Sequence, residues 1–380
     1  MKRIFYLCCI GIFLFLVSAC DEKKEKSILI DLDQSFDTKE IKLSELADDI
    51  RCIPLETNGD FLLPDNNTMY WVSDKYIISI SDKDIRQFSS EGKFIRKLAN
   101  AGKGPDEYSS ILSYTVDENK DILYYGHQRD WNHIFAINLK DGQPMGAINT
   151  RCLPRHMQIV KGNILCFPYN YRNEANCDAI LITPQGHIID SIPSAPKPAQ
   201  EGSRIITPSM GLVVNNEDDI FVHRNDSLLH FSFNGLTPVI AFRYTDKFDP
   251  ESHLEGVQWD VLFKNKNYAV IQKKVIAMKK TESMIMVNST SDMTLFIDLE
   301  DFRPIKISGF TIDPLDEKHD EFPSFKLTGK KLVRKMSAFD LKELARTKRE
   351  NGETLPPVLQ QLDEQLTEES NPVLIIGNLK

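Results

Sequence analysis

The sequence predicts an all-β fold: a six-bladed β-propeller of four-stranded antiparallel blades, its ring closed by N- and C-terminal strands, with a small helical insert near the C-terminus. Three observations carry this expectation. Across residues 68–244 the chain repeats one unit four times, four short apolar bursts with a turn between the third and the fourth. The turns Glu91-Gly92, Asp141-Gly142, Gln185-Gly186 and Asn234-Gly235 lie 50, 44 and 49 residues apart, the period of a four-strand blade. Apolar strands stand without a local partner at residues 50–55 and 372–376. A blade cannot bury its faces alone, so these two ends are expected to pair and shut the ring.

The elements follow in order. Blade one reads as strands 68–72, 76–79, 85–88 and 94–98, and blade two as 112–116, 122–125, 134–138 and 144–148. Blade three takes 157–160, 164–167, 179–182 and 188–192, and blade four 211–214, 220–223, 228–233 and 239–242. All are β-branched and aromatic runs bounded by Gly, Asn, Asp and Pro. A less regular fifth blade is expected at 275–278, 284–287, 295–298 and 304–307, with residues 245–267, including Trp259 and Phe263, read as a connecting excursion. Blade six is assembled from 310–312, 331–334, 372–376 and the early strand 50–55. Within it, segments 338–348 and 357–366 read as helices. Leu341, Leu344 and Ala345, and again Leu359, Leu362 and Leu366, recur at helical spacing. The helical insert is thus placed at about 338–366.

Ahead of the ring lies a targeting segment. Lys2 and Arg3 precede an apolar run of 14 residues, 4–17, short for a bilayer core of about 30 Å and suited to a signal peptide. The junction Leu16-Val17-Ser18-Ala19-Cys20 resembles the bacterial lipobox. Residues 1–19 are therefore expected to be removed, with Cys20 acylated as the first mature residue. Residues 20–27 form a charged tether and residues 28–380 the propeller. This makes a lipid bilayer the first expected partner and an outer-membrane lipoprotein, periplasmic or surface-exposed, the expected location. The net charge is −9 with no basic stripe, which argues against nucleic acid as a partner. Beyond Cys20 remain Cys52, Cys152, Cys166 and Cys177. In an exported chain they allow disulfides; Cys52 and Cys166 read as buried strand residues, and Cys152 with Cys177 as a pairing candidate.

The linker after blade one is Gly102-Lys103-Gly104-Pro105-Asp106-Glu107-Tyr108, preceded by Gly92-Lys93-Phe94-Ile95-Arg96. With Ile53-Pro54-Leu55-Glu56-Thr57 and Asn371-Pro372-Val373-Leu374, it resembles the six-bladed propeller lipoproteins of Bacteroidetes, related to NHL-repeat propellers. The acidic stretch after Cys20 also resembles the surface-export signals of such lipoproteins. The resemblance implies an exported, lipid-anchored propeller, and assigns no activity.

Several motifs that suggest chemistry do not meet its requirements. The Gly-Lys-Gly-Pro linker lacks the spacing of a phosphate loop and opens no helix; its glycines suit a tight crossover over Tyr108. In Asp31-Leu32-Asp33-Gln34-Ser35-Phe36-Asp37 a Phe stands where a calcium loop needs Gly. If the first strand of each blade is innermost, loops between second and third strands open on the same face as the crossovers between blades. That face would gather His127, Arg129 and Trp131 from blade two, Tyr169, Tyr171 and Arg172 from blade three, and His223 and Arg224 from blade four. The crossovers add Lys103, Arg155, His156 and Arg204. Guanidinium forks, aromatic platforms and amides suit a glycan, a peptide or an envelope protein. The expected role is a binding or scaffolding module, more fittingly than an enzyme, with no cofactor required. The alternative is a metal-dependent lyase or hydrolase centred in the channel, holding zinc or calcium through His127, His133, His156 and His223. Some NHL-type propellers resemble such lyases, and imidazoles from successive blades suit Zn²⁺.

Overall fold

The computed structural model describes residues 27–57, 62–64, 68–104, 107–150, 152, 154–168, 177–193, 210–216, 219–224, 226–232, 235–247, 255–280 and 285–380. The chain enters as three strands, β1 (Ile28–Asp31), β2 (Thr38–Lys42) and β3 (Ala47–Pro54). Blade one follows as β4 (Met69–Val72), β5 (Tyr76–Ile80), β6 (Asp84–Ser89) and β7 (Phe94–Asn100). Blade two is β8 (Ile111–Asp117), β9 (Ile122–His127), β10 (His133–Asn138) and β11 (Pro144–Asn149). Blade three is β12 (Pro154–Val160), β13 (Asn163–Pro168), β14 (Cys177–Ile182) and β15 (Ile188–Pro193). Blade four is β16 (Met210–Asn216), β17 (Asp219–Arg224), β18 (Ser227–Ser232) and β19 (Gly235–Arg243).

Blade five is β20 (Glu255–Lys264), β21 (Tyr268–Lys280), β22 (Ile285–Asp298) and β23 (Pro304–Ile312), with the short β24 (Glu317–His319) set beside β23. Blade six takes β25 (Lys326–Thr328), β26 (Lys331–Met336), β27 (Val373–Leu379) and, outermost, β3. The antiparallel register of β27 on β3 sets Val373 against Pro54 and Ile375 against Cys52. The two ends of the chain thus share the last blade, and the six-bladed propeller expected from the repeats is the fold.

The turn residues explain the hairpins. Gly92, Gly142, Gly186 and Gly235 join third to fourth strands at φ of 80°, 79°, 86° and 134°, a region that only glycine enters without strain. First strands lie against one another around the channel, β8 on β12, β16 on β20, β20 on β25 and β25 on β4. Between blades the faces are apolar: Ile77, Phe88, Leu374 and Ile376 meet between blades six and one, and Ile78, Ile85, Leu123 and Ile137 between one and two. Each such side chain contributes about 1.5–3 kcal/mol by leaving water.

Polar stitches reinforce the seams at the first-to-second strand turns. Lys331 Nζ meets Asp74 at 2.7 Å, Lys75 Nζ meets Asp121 at 2.9 Å, and Lys120 Nζ donates to the Gly162 carbonyl at 2.9 Å. Blades six, one, two and three are linked in turn.

Two expectations need correction. Blade five begins at β20, inside the segment read as an excursion. Val257, Trp259, Val261 and Phe263 alternate along it, and Trp259 and Phe263 are buried. Of the stretches 275–278 and 284–287, expected as separate strands of that blade, residues 275–278 and 285–287 are the upper parts of one long hairpin, β21–β22, and residue 284 lies outside the described residues. Residues 310–312, assigned to blade six, continue β23 instead. The second finding is that β1 and β2 add in parallel to the outer edges of blades four and five, on β19 and β23. Residues 28–54 therefore run as a belt across three successive blades. Arg243 pairs with Asp31, Arg303 with Asp37, and Thr245 donates to Asp33, so the acidic run that hinted at a calcium loop is a row of stitches.

The helices Ala338–Glu350 and Pro357–Gln365 form within the expected insert. Ser337 caps the first by accepting from the Asp340 amide at 3.0 Å. Leu341, Ala345, Leu359 and Leu362 pack with Ile307, Phe310, Leu315 and the belt residues Leu43 and Leu46. The insert therefore leans outward over the junction of blades five and six. Among the described residues no helix is long and apolar enough to cross a membrane.

Candidate functional site

The insert joins β26 to β27, the second and third strands of blade six, so it rises on the face that also carries the crossovers. On this face, at the junction of blades six, one and two, lies a cleft of about 620 Å³. Thr68, Met69 and Tyr70 line it from the start of β4, Asp82 from the β5–β6 loop, and Ser110 and Ile111 from the crossover into blade two. Blade six supplies Ser324, Lys326, Val333 and Lys335. Register explains the two lysines: Lys326 stands opposite Val333 in the β25–β26 hairpin, and Lys335 is two residues beyond Val333. All three thus share one face, and the lysines form a diagonal pair roughly 7–8 Å apart at the backbone.

A second groove of about 550 Å³ shares Lys335. It runs outward between the crossover residues Leu62 and Leu63 and the insert, where Phe339, Asp340, Glu368 and Glu369 line it. Leu62 is 49% and Phe339 53% exposed. Together the two form a trough with Lys326 and Lys335 at one end and exposed Leu62 and Phe339 with Asp340, Glu368 and Glu369 at the outer end.

The rim residues expected from the sequence are spread over different roles. In blade two, Trp131 is 43% exposed, and Lys103 is exposed on the crossover. Arg129 instead turns onto the linker, donating to the carbonyls of Gly102 and Gly104, while its own amide donates to Ser109 Oγ at 3.0 Å. Glu107 accepts from the Gly104 amide at 2.7 Å, and Tyr108, buried, donates to the Ser81 carbonyl at 2.6 Å. The Gly-Lys-Gly-Pro linker is accordingly a clamped crossover.

His127 is buried, stacked on Phe135 at 4.8 Å between ring centroids, with Nδ1 3.3 Å from Ser109 Oγ. Burial holds its pKa below the usual imidazole value, outweighing the nearby Asp130. His133 Nδ1 lies 2.9 Å from Asp130. Burial would raise the Asp130 carboxyl, but the bonds from His133 and the Asn132 amide lower it on balance. His223, 1% exposed, faces Asp260 at 3.9 Å. Asp260 in turn accepts from Lys274 at 2.6 Å and from Gln258 at 2.6 Å. His156 and Arg155 lie on β12 and are partly exposed.

The four histidines thus sit in separate surroundings, and no cluster of three His, Cys, Asp or Glu side chains fit to hold a metal occurs among the described residues. Arg224 ends β17. Tyr169, Tyr171, Arg172 and Arg204 lie outside the described residues, as does Cys20. The free thiols Cys152 and Cys177 pack against the cluster that buries Cys166. Burial raises the Cys166 thiol well above its ordinary value and Cys152 to about 12, the neighbouring thiols adding to the effect. The residues missed from sequence are Lys326 and Lys335: residues 331–334 read as a strand, but the three-residue strand Lys326–Thr328 that pairs with it does not.

Residues 27–378 match the family described as a domain of unknown function, DUF4934, and the chain belongs to that family. No curated protein matches it. Among solved structures, a Bacteroides fragilis NCTC 9343 protein described as exported aligns at 13% identity with a TM-score of 0.63, over 93% of this chain and 100% of that one. At that identity the likeness shows the fold. The hydrazine synthase of Kuenenia stuttgartiensis, at 9% identity, covers 80% of this chain and 84% of that one with a TM-score of 0.38. The WD40 domain of Neurospora crassa Pan2, at 10%, covers 60% and 70% with a TM-score of 0.33. Both are too distant to carry an argument.

Proposed function

We propose that this chain is an exported binding module of the cell envelope, anchored through an acylated Cys20, that takes a carboxylate-bearing peptide or glycan in the trough on its crossover face. The observation that carries the reading is the diagonal pair Lys326 and Lys335 in the cleft of about 620 Å³, continuous with a groove edged by exposed Leu62 and Phe339. Two ammonium groups within reach of one carboxylate fix an anionic end, and an apolar shelf beyond them holds the rest of an extended ligand. Trp131 and Lys103 stand on the same face and extend it toward blade two. Export is supported by the signal-like N-terminus and by the described character of the Bacteroides fragilis relative. Lipidation and the outer membrane are supported by the lipobox-like junction at Cys20.

The test is a glycan and peptide array, then calorimetry on the best ligand, comparing the parent with Lys326→Glu/Lys335→Glu. Loss of binding by tenfold or more, about 1.4 kcal/mol, with an unchanged melting temperature is the expected result. Equal affinity in the double variant would reject the trough as the site. Palmitate labelling of the full chain and of Cys20→Ser tests the anchor separately.

A further inference from the structure

Blade five is taller than the others. β21 has 13 residues and β22 has 14, against 5 and 6 for the corresponding strands of blade one. At about 3.3 Å per residue, eight more residues in each strand extend the hairpin roughly 26 Å further. Along its length β22 pairs with β21, from Tyr268 against Asp298 to Lys280 against Ile285. On its other side it pairs with β23 only at Leu295, Phe296 and Ile297. β23 then turns to β24, Phe310 against His319. Among the described residues no strand covers β22 from Ile285 to Thr294 on that side, and Asn288, Ser289, Thr290, Ser291 and Asp292 are exposed.

An open edge presents unpaired amides and carbonyls, and proteins normally blunt it with charge, proline or a bulge. The outer strands of blades one to three are blunted in this way. β7 carries Arg96 and Lys97, β11 has Pro144 with a bulge near Gly146, and β15 has Asp190 and Pro193. The stretch Ile285-Met286-Val287-Asn288-Ser289-Thr290-Ser291 has none of these: no charge, no proline, no glycine. Protection begins only beyond it, where the ladder shifts between Ser291 and Met293, and where Asp292 is held by Lys273 at 2.8 Å.

From this edge we infer that two copies of the chain associate by antiparallel pairing of β22 with β22, so that two β21–β22 hairpins form one continuous four-stranded ladder. Antiparallel self-pairing is two-fold symmetric and needs only one surface, which closes the assembly at a dimer. A two-fold centred on Asn288 sets amide against amide, Val287 against Ser289 and Met286 against Thr290, and brings no like charges together. Seven residues of edge make a small interface, so the dimer is weak, with a dissociation constant on the order of tens of micromolar.

Sedimentation velocity of the full chain in detergent, from about 1 to 300 μM, tests this. The expected result is a reversible monomer–dimer equilibrium. Asn288→Lys and Thr290→Lys each raise the dissociation constant about tenfold, because they put ammonium groups on the shared edge. Both leave the melting temperature unchanged, since position 288 and position 290 are exposed. A single monomeric mass at the highest concentration would overturn the inference. So would a dimer whose affinity is the same in both variants.

Discussion

Arg129 donates to the carbonyl of Gly102, so a loop of blade two holds the crossover that delivered the chain from blade one. The same guanidinium reaches Gly104 at 3.4 Å. Arg129→Ala releases both carbonyls and should lower stability by about 1 kcal/mol, the usual worth of exposed hydrogen bonds. Arg129→Lys should recover little, because an ammonium lacks the planar fork. Denaturant unfolding of the three proteins reads the difference. An Arg129→Ala protein as stable as the parent would return this residue to the ligand-binding rim where the sequence first placed it.

Gly102 explains why the loop is written with glycine. A Cβ there would lie 1.9 Å from Glu107 Oε2, the carboxylate that orders the loop through the Gly104 amide. Gly92 is less forgiving, because what it meets is backbone rather than a side chain. It sits at φ 80° and a Cβ would meet the Pro54 carbonyl at 2.3 Å, while the Gly92 carbonyl accepts from the Glu56 amide at 2.8 Å. Gly235, at φ 134°, has open space around it. Gly92→Ala should therefore cost on the order of 3 kcal/mol, the strain plus a backbone shift in the closing strand, and Gly235→Ala only about 1. Melting curves of the two variants should rank them in that order.

Ring closure has a polar keystone in Asn371, buried at 2% exposure. Its side chain accepts from the Leu63 amide at 2.8 Å and donates to the Glu56 carbonyl at 2.6 Å, and its amide donates to Thr57 Oγ1 at 2.8 Å. One residue thus ties the end of the insert to both sides of the first crossover. Asn371→Ala leaves a buried donor and a buried acceptor without it, at about 2–4 kcal/mol. The unfolding rate should rise, since closure is lost before the blades separate. Unchanged unfolding kinetics in this variant would show that the β3–β27 ladder holds the ring unaided.

Much of the ring was legible because its signals are local. A glycine turn, a strand of β-branched residues and a polar linker recur within fifty residues, and those four blades stand where the repeats placed them. The belt was not legible. β1 and β2 find partners more than two hundred residues away, and a four-residue strand such as Ile28–Asp31 has no periodicity to announce it. Blade five was misplaced because its hairpin is twice the usual length, although the alternation of Val257, Trp259, Val261 and Phe263 was a readable strand signal. The site divides in the same way. Loops named the crossover face, but only the register of Lys326 on Val333 brings Lys335 beside it. His127 and His223 look like surface ligands in sequence and prove to be interior packing.

Stability should fall in two steps as the solution is acidified. His127 has its pKa lowered by burial, so the unfolded chain takes up a proton first. Its contribution is complete above about pH 6.5 and is lost below it, at up to about 1.4 kcal/mol per pH unit. Glu317 behaves similarly at lower pH. Burial would raise its carboxyl, but the contacts of His319 at 3.0 Å and Arg334 at 2.9 Å lower it on balance. That contribution is present above about pH 4.5 and disappears as pH drops through the depressed value. Urea midpoints between pH 8 and pH 3.5 should show both steps. His127→Gln should remove the upper one and Glu317→Gln the lower; a curve unaffected by either substitution would refute the assignment.

Thiol chemistry gives a readout of the same packing. Burial pushes Cys52 to about 12, with Glu317 adding to the effect, and holds Cys166 well above its ordinary value. The thiolate is the reactive species, so neither should react with iodoacetamide at pH 8 while the ring is intact. Cys52 lies opposite Ile375 in the closing ladder, which makes its labelling a report on closure, whereas Cys166 pairs with Ile180 inside blade three. Weakening the closure through Asn371→Ala should therefore raise the labelling rate of Cys52 by about tenfold or more while that of Cys166 changes less, since only opening of blade six exposes the first. Equal acceleration at both cysteines, followed by mass spectrometry, would mean that the propeller opens as one cooperative unit rather than at its seam.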